Sequence, residues 1–327
     1  MNIEKYQGDK NVINSCRFCF MCRHLSTAGI ASGRESDNPR VRALIAGRIL
    51  ANPEEIRNPD FAKAVFAADL SAAPRMNCVT HYDEVGLTLA LRRDFIAAGN
   101  IPAEVAAVRD EAVKAKYAVS GKGDTLFLAS GYAPADKAMA KLLGACRTMK
   151  GAEAFATLAL LGFDKEAKAA FAKFKAAAAG AKTIVTDSAS IVLATREFFK
   201  GVKVLHTVEF LAGLKRKAAK KAVKVEYIQS DLLRNYLESD AACKFFKQSG
   251  AAVALYGTNE ETSYTVGEIS DALDRIDPVL VGEMAEYCAR FAPADKKTVV
   301  VAASPVTVKR LAAAGVKALT FGEFAAC

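Results

Sequence analysis

Lys182-Thr183-Ile184-Val185-Thr186-Asp187-Ser188 runs on through Gly201-Val202-Lys203-Val204-Leu205-His206 to Glu209-Phe210, and the whole pattern then returns. The second copy reads Lys297-Thr298-Val299-Val300-Val301-Ala302-Ala303-Ser304, then Gly315-Val316-Lys317-Ala318-Leu319-Thr320, then Glu323-Phe324, with one residue of slippage. A repeat of this length, pairing β-branched runs with helix-favouring stretches, predicts two α/β units of one plan. Thr125-Leu126-Phe127-Leu128 is a further strand, and the Ala- and Lys-rich stretch from Asp164 to Lys182 predicts a helix. Alternation of this kind argues for a sheet with crossover helices.

Upstream of Lys114–Gly123, a polar stretch with two glycines after which the alternation begins, the chemistry lies in cysteine. Cys16-Arg17-Phe18-Cys19-Phe20-Met21-Cys22 places three thiols at C-x2-C-x2-C spacing. Three thiols cannot pair as disulfides without leaving one over. This spacing is the opening of the ferredoxin run that holds a [4Fe–4S] cluster. A tetrahedral zinc site, built from these cysteines or from Cys16, Cys19, Cys22 and His24, is the competing reading. The position that would complete the run is Ser26, and the next cysteine is Cys78 in Met76-Asn77-Cys78-Val79-Thr80-His81.

With Pro39-Arg40-Val41-Arg42, Leu89-Ala90-Leu91-Arg92-Arg93 and Gly99-Asn100-Ile101-Pro102, the N-terminal part resembles the iron–sulfur electron-transfer subunits of the glycolate-oxidase and heterodisulfide-reductase type. Those proteins carry a helical two-cluster ferredoxin domain and a duplicated cysteine-rich CCG domain. In that register Cys78 closes the second run, whose other cysteines would fall at Ala68, Ser71 and Pro74. The resemblance thus implies one complete ligand set, Cys16, Cys19, Cys22 and Cys78, for one [4Fe–4S] cluster. The other set, Ser26, Ala68, Ser71 and Pro74, holds no cysteine.

The likeness continues into the repeat, where the family's cysteine pairs are replaced. This chain has Thr186-Asp187-Ser188-Ala189-Ser190-Ile191 in one copy and Ser304-Pro305-Val306-Thr307 in the other. The family's glycines fall nearest Gly162 and Gly257, and its first strand-end Gly-Cys reads Gly131-Tyr132. The implied architecture is α/β: a helical ferredoxin-like part at 1–118, a first CCG-like lobe at 119–214 and a second at 215–327.

The implied role is a non-catalytic electron-transfer subunit of an oxidoreductase. It would relay electrons from an FAD-dependent dehydrogenase of the 2-hydroxy-acid-oxidising type to an acceptor protein, with Phe18, Phe20 and Met21 shielding the cluster. The rival is an assembly subunit whose cluster only clamps the fold. A third possibility is an enzyme with a pocket near Ser188, Ser304, Tyr132 and Asp231.

Composition sets the surroundings. With 52 % hydrophobic and 25 % charged residues, the 327-residue chain has the balance of a globular protein with room for two or three cores. No apolar run is long enough to span a bilayer, and the first residues lack a signal-peptide layout. Cysteines in a metal motif rather than a disulfide framework point to the cytoplasm. Much of the net charge of +9 sits in Leu214–Lys224, which has no interleaved aromatics and reads as a solvated connection, not a nucleic-acid surface. Cys146 and Cys288 are expected as small apolar residues on helices, and Cys243 and Cys327 stand isolated.

Overall fold

A computed structural model describes residues 1–10, 12–16, 19–75, 77–214, 223–257, 263–267 and 271–327. The chain is mixed α/β with two mostly parallel sheets. Helices fill the first third, chief among them Asn2–Lys10, Arg40–Ala51, Pro59–Phe66, Glu84–Ala97 and Ala103–Lys114. The first sheet follows, made of β1 (Ala118–Gly121), β2 (Thr125–Leu128), β3 (Arg147–Lys150), β4 (Thr183–Thr186) and β5 (Val204–His206). Its order is β1-β3-β2-β4-β5, parallel except for the β1 edge. The second sheet holds β6 (Lys224–Ile228), β7 (Ala252–Leu255), β8 (Val299–Ala302) and β9 (Ala318–Thr320), in the all-parallel order β7-β6-β8-β9.

The repeated segments occupy matching places. β4 and β8 are the strands from which each sheet steps outward to β5 and β9. Each of those is followed at once by a short helix, Thr207–Ala212 or Phe321–Ala326. Both helices start in a capping box: His206 with Glu209, and Thr320 with Glu323. In each, the cap side chain takes a first-turn amide and the glutamate returns to the cap backbone, satisfying donors that a helix start leaves open.

Several expectations are corrected. The polar stretch read as a boundary contains β1, whose four residues are all exposed. Cys146 lies in the turn before β3 and not on a helix. Cys288, by contrast, is buried in helix Pro278–Ala289 as expected, its thiol directed at the Thr265 carbonyl. The helix from Asp164 ends at Ala177. Leu214 and Val223 are described, but the lysines between them, with the expected lobe boundary, lie outside the described residues. Among the described residues no helix is long and apolar enough to cross a membrane.

Ion pairs sit inside the helical part. Arg42, 1 % exposed, donates to Glu84, 3 % exposed, at 3.0 and 3.2 Å, joining helix Arg40–Ala51 to Glu84–Ala97. Burial pushes the Glu84 carboxyl up and Arg42 draws it back. Leu70, Ala72, Val85 and Leu89 form a common core with Val192, Leu193, Leu232 and Leu233, so one cluster ties the helices to segments following β4 and β6.

Arg42→Met strands the Glu84 carboxylate in the interior and is expected to cost about 3–5 kcal/mol, while removing both charges restores most of the loss. Urea midpoints of the single variant and of Arg42→Met/Glu84→Leu check this. A single variant as stable as the parent would show that the pair is not buried in solution.

Candidate functional site

Two places gather chemistry. The first lies around the N-terminal cysteines. The turn Met21–His24 packs on the turn Ala73–Arg75, which brings the Cys16–Cys22 segment beside the loop leading to Cys78. Cys16 is buried, Cys22 and Cys78 are half-buried, and Cys19 is exposed. Burial raises the Cys22 thiol, with the neighbouring Cys16 adding to it; the Arg40 amide and the Arg40 and Arg42 guanidinium groups act the other way. Pro39-Arg40-Val41-Arg42 therefore opens helix Arg40–Ala51 directly against Cys22, where the first-turn amides favour negative charge.

At Cys78 the balance is reversed. The Tyr82 amide reaches Sγ at 3.4 Å and the Thr80 hydroxyl lies at 3.4 Å. Burial opposes a thiolate here, but the Thr80 hydroxyl and the amides of Tyr82, Thr80 and His81 outweigh it and hold the thiol below its ordinary value. His81, with φ of 50°, turns the backbone so that these amides surround the sulfur. Buried Tyr82 feels both Cys16 and Cys22, so it links the two halves of the site.

The amides and guanidinium groups around Cys22 and Cys78 are of the kind that stabilise thiolate ligands, by hydrogen bonds to sulfur and flanking positive charge. Cys16 and Cys22 are near neighbours and Cys78 joins them through Tyr82, whereas Cys19 faces out while Arg40 holds its carbonyl at 3.1 Å. Among the described residues, no three Cys, His, Asp or Glu side chains converge in the geometry of a bound ion. His24 is exposed and joins no such group.

The expected shield is not what Phe20 and Met21 form. Phe20 is 64 % exposed and Met21 50 %, with Arg40 and Arg23 over the Phe20 ring, and Val79 beside Cys78 is 87 % exposed. Phe18 lies outside the described residues. Of the second set, Ser26, Ser71 and Pro74 are buried. Ser26 caps helix Thr27–Ser32, and the Ala68 carbonyl accepts from Arg92.

The second place is a cavity of about 70 Å³ where the two sheets meet. In the first sheet, order reverses between β2 and β4, and in the second between β6 and β8. Parallel sheets bind ligands beyond the strand ends at such reversals. Ser130 follows β2, Asp187 and Ser188 follow β4, and Ser304 follows β8; all four line the cavity with Glu153, Asp271 and Lys309. Ser188 and Ser304 are thus brought together from the two sheets, each capping a helix.

Ser188 donates to Glu153 at 3.0 Å. Asp187 is 2 % exposed, and neither carboxylate oxygen has a hydrogen-bond partner. Burial pushes its carboxyl up to about 8, with Asp136, Glu153 and Glu323 adding to the effect. Burial likewise raises Glu153 to about 7. Tyr132 feels Glu323 but does not line the cavity. Asp231 lies apart, accepting from Gln229 and Asn235. Sequence reasoning named the serines but missed Asp187, Glu153, Asp271 and Lys309, which come together only through the crossovers.

A third hollow, of about 280 Å³ and mostly apolar, lies between helix Ala241–Ser249 and the β6–β7 edge. No family model, no curated protein and no solved structure matches the chain.

Well below its ordinary value of 3.8 the Asp187 carboxyl is protonated whether the chain is folded or not. As pH rises towards 8 the unfolded chain ionises while the folded one keeps the proton, so this group lowers stability progressively. Asp187→Asn is therefore expected to match the parent at about pH 3 and exceed it at pH 8 by about 2–5 kcal/mol. Urea unfolding at both pH values measures it; a variant no more stable at pH 8 would mean that the carboxylate is solvated.

Proposed function

We propose that the chain is a one-cluster electron-transfer subunit of an oxidoreductase, its helical part at 1–118 being ferredoxin-like and its lobes at 119–214 and 215–327 degenerate CCG-like units. Cys16, Cys19, Cys22 and Cys78 would hold a single [4Fe–4S] cluster. Such a cluster, when bound, exchanges one electron at a time and so lets a two-electron flavin oxidation feed a one-electron acceptor. The FAD-dependent dehydrogenase and the acceptor protein are the partners this role requires.

The observation that carries the reading is the environment of the sulfurs. Cys78 Sγ sits under the Tyr82 amide and beside the Thr80 hydroxyl, and the start of helix Arg40–Ala51 supplies an amide and two guanidinium groups around Cys22. These groups favour negative sulfur: they hold the Cys78 thiol below its ordinary value and offset part of the burial that raises Cys22. Exposed Phe20, Met21 and Val79 flank the same cysteines, providing an apolar face on which a partner could seat close to the redox site. This face favours relay over a purely structural clamp. A clamp would also duplicate work already done, since Arg42–Glu84 joins the helices without metal.

Anaerobic purification with iron and sulfide counts, and electron paramagnetic resonance before and after dithionite, tests the proposal. About four irons per chain and a signal appearing on reduction are expected. Cys19→Ala and Cys78→Ala should each lose the signal, while Cys146→Ala and Cys243→Ala keep it. Stoichiometric zinc, or a full iron count in Cys78→Ala, would overturn the assignment.

A further inference from the structure

We propose that the cavity between the two lobes is a binding site for a small primary ammonium group, held by Asp187 and Glu153 and bordered by the hydroxyls of Ser188 and Ser304. The argument starts from an unmet need. Asp187 is shut away from solvent, lines the cavity, and has two oxygens without a donor. A buried carboxylate left in this way is costly unless a donor or a positive charge completes it. Its surroundings offer acids instead: Glu153 and Asp271 line the same space, and Asp136 and Glu323 lie within electrostatic reach. Asp136 and Glu323 are engaged elsewhere. Asp136 accepts from the Ser130 and Gly131 amides, and Glu323 from Thr320. His206 is neutral at ordinary pH, because burial pushes it down to about 4. Among the described residues Lys309 is the one cation lining the cavity, and it is exposed.

Size and donor count choose the occupant. A volume of about 70 Å³ is near that of two waters, enough for an ammonium nitrogen with a carbon or two. A primary ammonium brings three N–H donors to a wall of carboxylate and hydroxyl oxygens. A divalent ion needs several oxygens converging on one point, and among the described residues no such group forms here. In this structure neither serine donates to Asp187. Ser188 gives its proton to Glu153, and both Ser188 and Ser304 accept amides as caps.

The probe is methylammonium chloride, titrated to 0.1 M on the full chain at pH 8 and constant ionic strength, read by thermal melting and by line broadening of the ¹³C-methyl signal. With two heavy atoms, the best dissociation constant is of order 10 mM, so the melting temperature should rise by about 2 °C at 0.1 M, following the logarithm of concentration, while the NMR response saturates. The response is expected to vanish in Asp187→Asn, which stays folded, and to weaken at least threefold in Glu153→Gln. Lys309→Ala should keep or strengthen it. Tetramethylammonium, which lacks N–H donors, should have no effect. An equal response in Asp187→Asn or to tetramethylammonium, or none in the parent, would overturn the proposal. So would a response confined to Lys309→Ala, which would make Lys309 the occupant, or saturation by Ca²⁺ at millimolar concentration.

Discussion

Arg92 is buried at the junction of the helical part and the first sheet, and its guanidinium reaches four backbone carbonyls: Val65 at 3.1 Å, Phe66 at 3.1 Å, Ala68 at 2.8 Å and Leu160 at 2.7 Å. These oxygens belong to the ends of two helices, Pro59–Phe66 and Glu153–Leu161, and to the residues just beyond the first. Helix ends leave carbonyls unpaired and carry partial negative charge, so one cation satisfies both at once. Burial lowers Arg92 to about 9, which still leaves it charged at neutral pH. Gly162 belongs to the same contact. It closes helix Glu153–Leu161 at φ of 92°, and a Cβ there would press within 3.2 Å of the Arg92 side chain and the Arg93 backbone.

What Arg92 holds also positions both sites. The loop beginning at Ala68 passes through Leu70 and Ala72, both with positive φ, before it reaches Cys78. Positive φ is unfavourable for such side chains unless the surroundings impose it. Here Leu70 and Ala72 are pinned in the core shared with Val192 and Leu232. The far end of the Arg92 contact is helix Glu153–Leu161, whose first residue, Glu153, faces the cavity between the lobes. One buried cation therefore constrains the loop that leads to a thiol and the helix that begins with a carboxyl.

The repeat was legible because β4 and β8 are buried runs bounded by capping residues, and local chemistry of that kind is written in order along the chain. β1 escaped notice because all four of its residues are exposed, leaving no alternation to read, and β3 because only Met149 of its four is buried. Cys146 was misplaced for a related reason: Gly144, at φ of 65°, ends the helix two residues before it. At the cysteine site the ligand candidates were visible from spacing. The outward turn of Phe20 was not, since it depends on Arg40 and Arg23 from outside the motif. Ser188 and Ser304 could be marked as matching positions of the repeat, but their meeting depends on how the two sheets pack, which no local pattern encodes.

The two sites are opposite in electrostatic character. Around the cysteines the near charges are the guanidinium groups of Arg40 and Arg42, together with helix-end and loop amides, all of which stabilise negative sulfur. Around Asp187 the near charges are carboxyls, and burial has removed the water that would screen them. Asp187 and Glu153 therefore keep their protons to higher pH than exposed acids do, and their wall of carboxyl and hydroxyl oxygens offers acceptors to an N–H donor, where the cysteine site offers donors to sulfur.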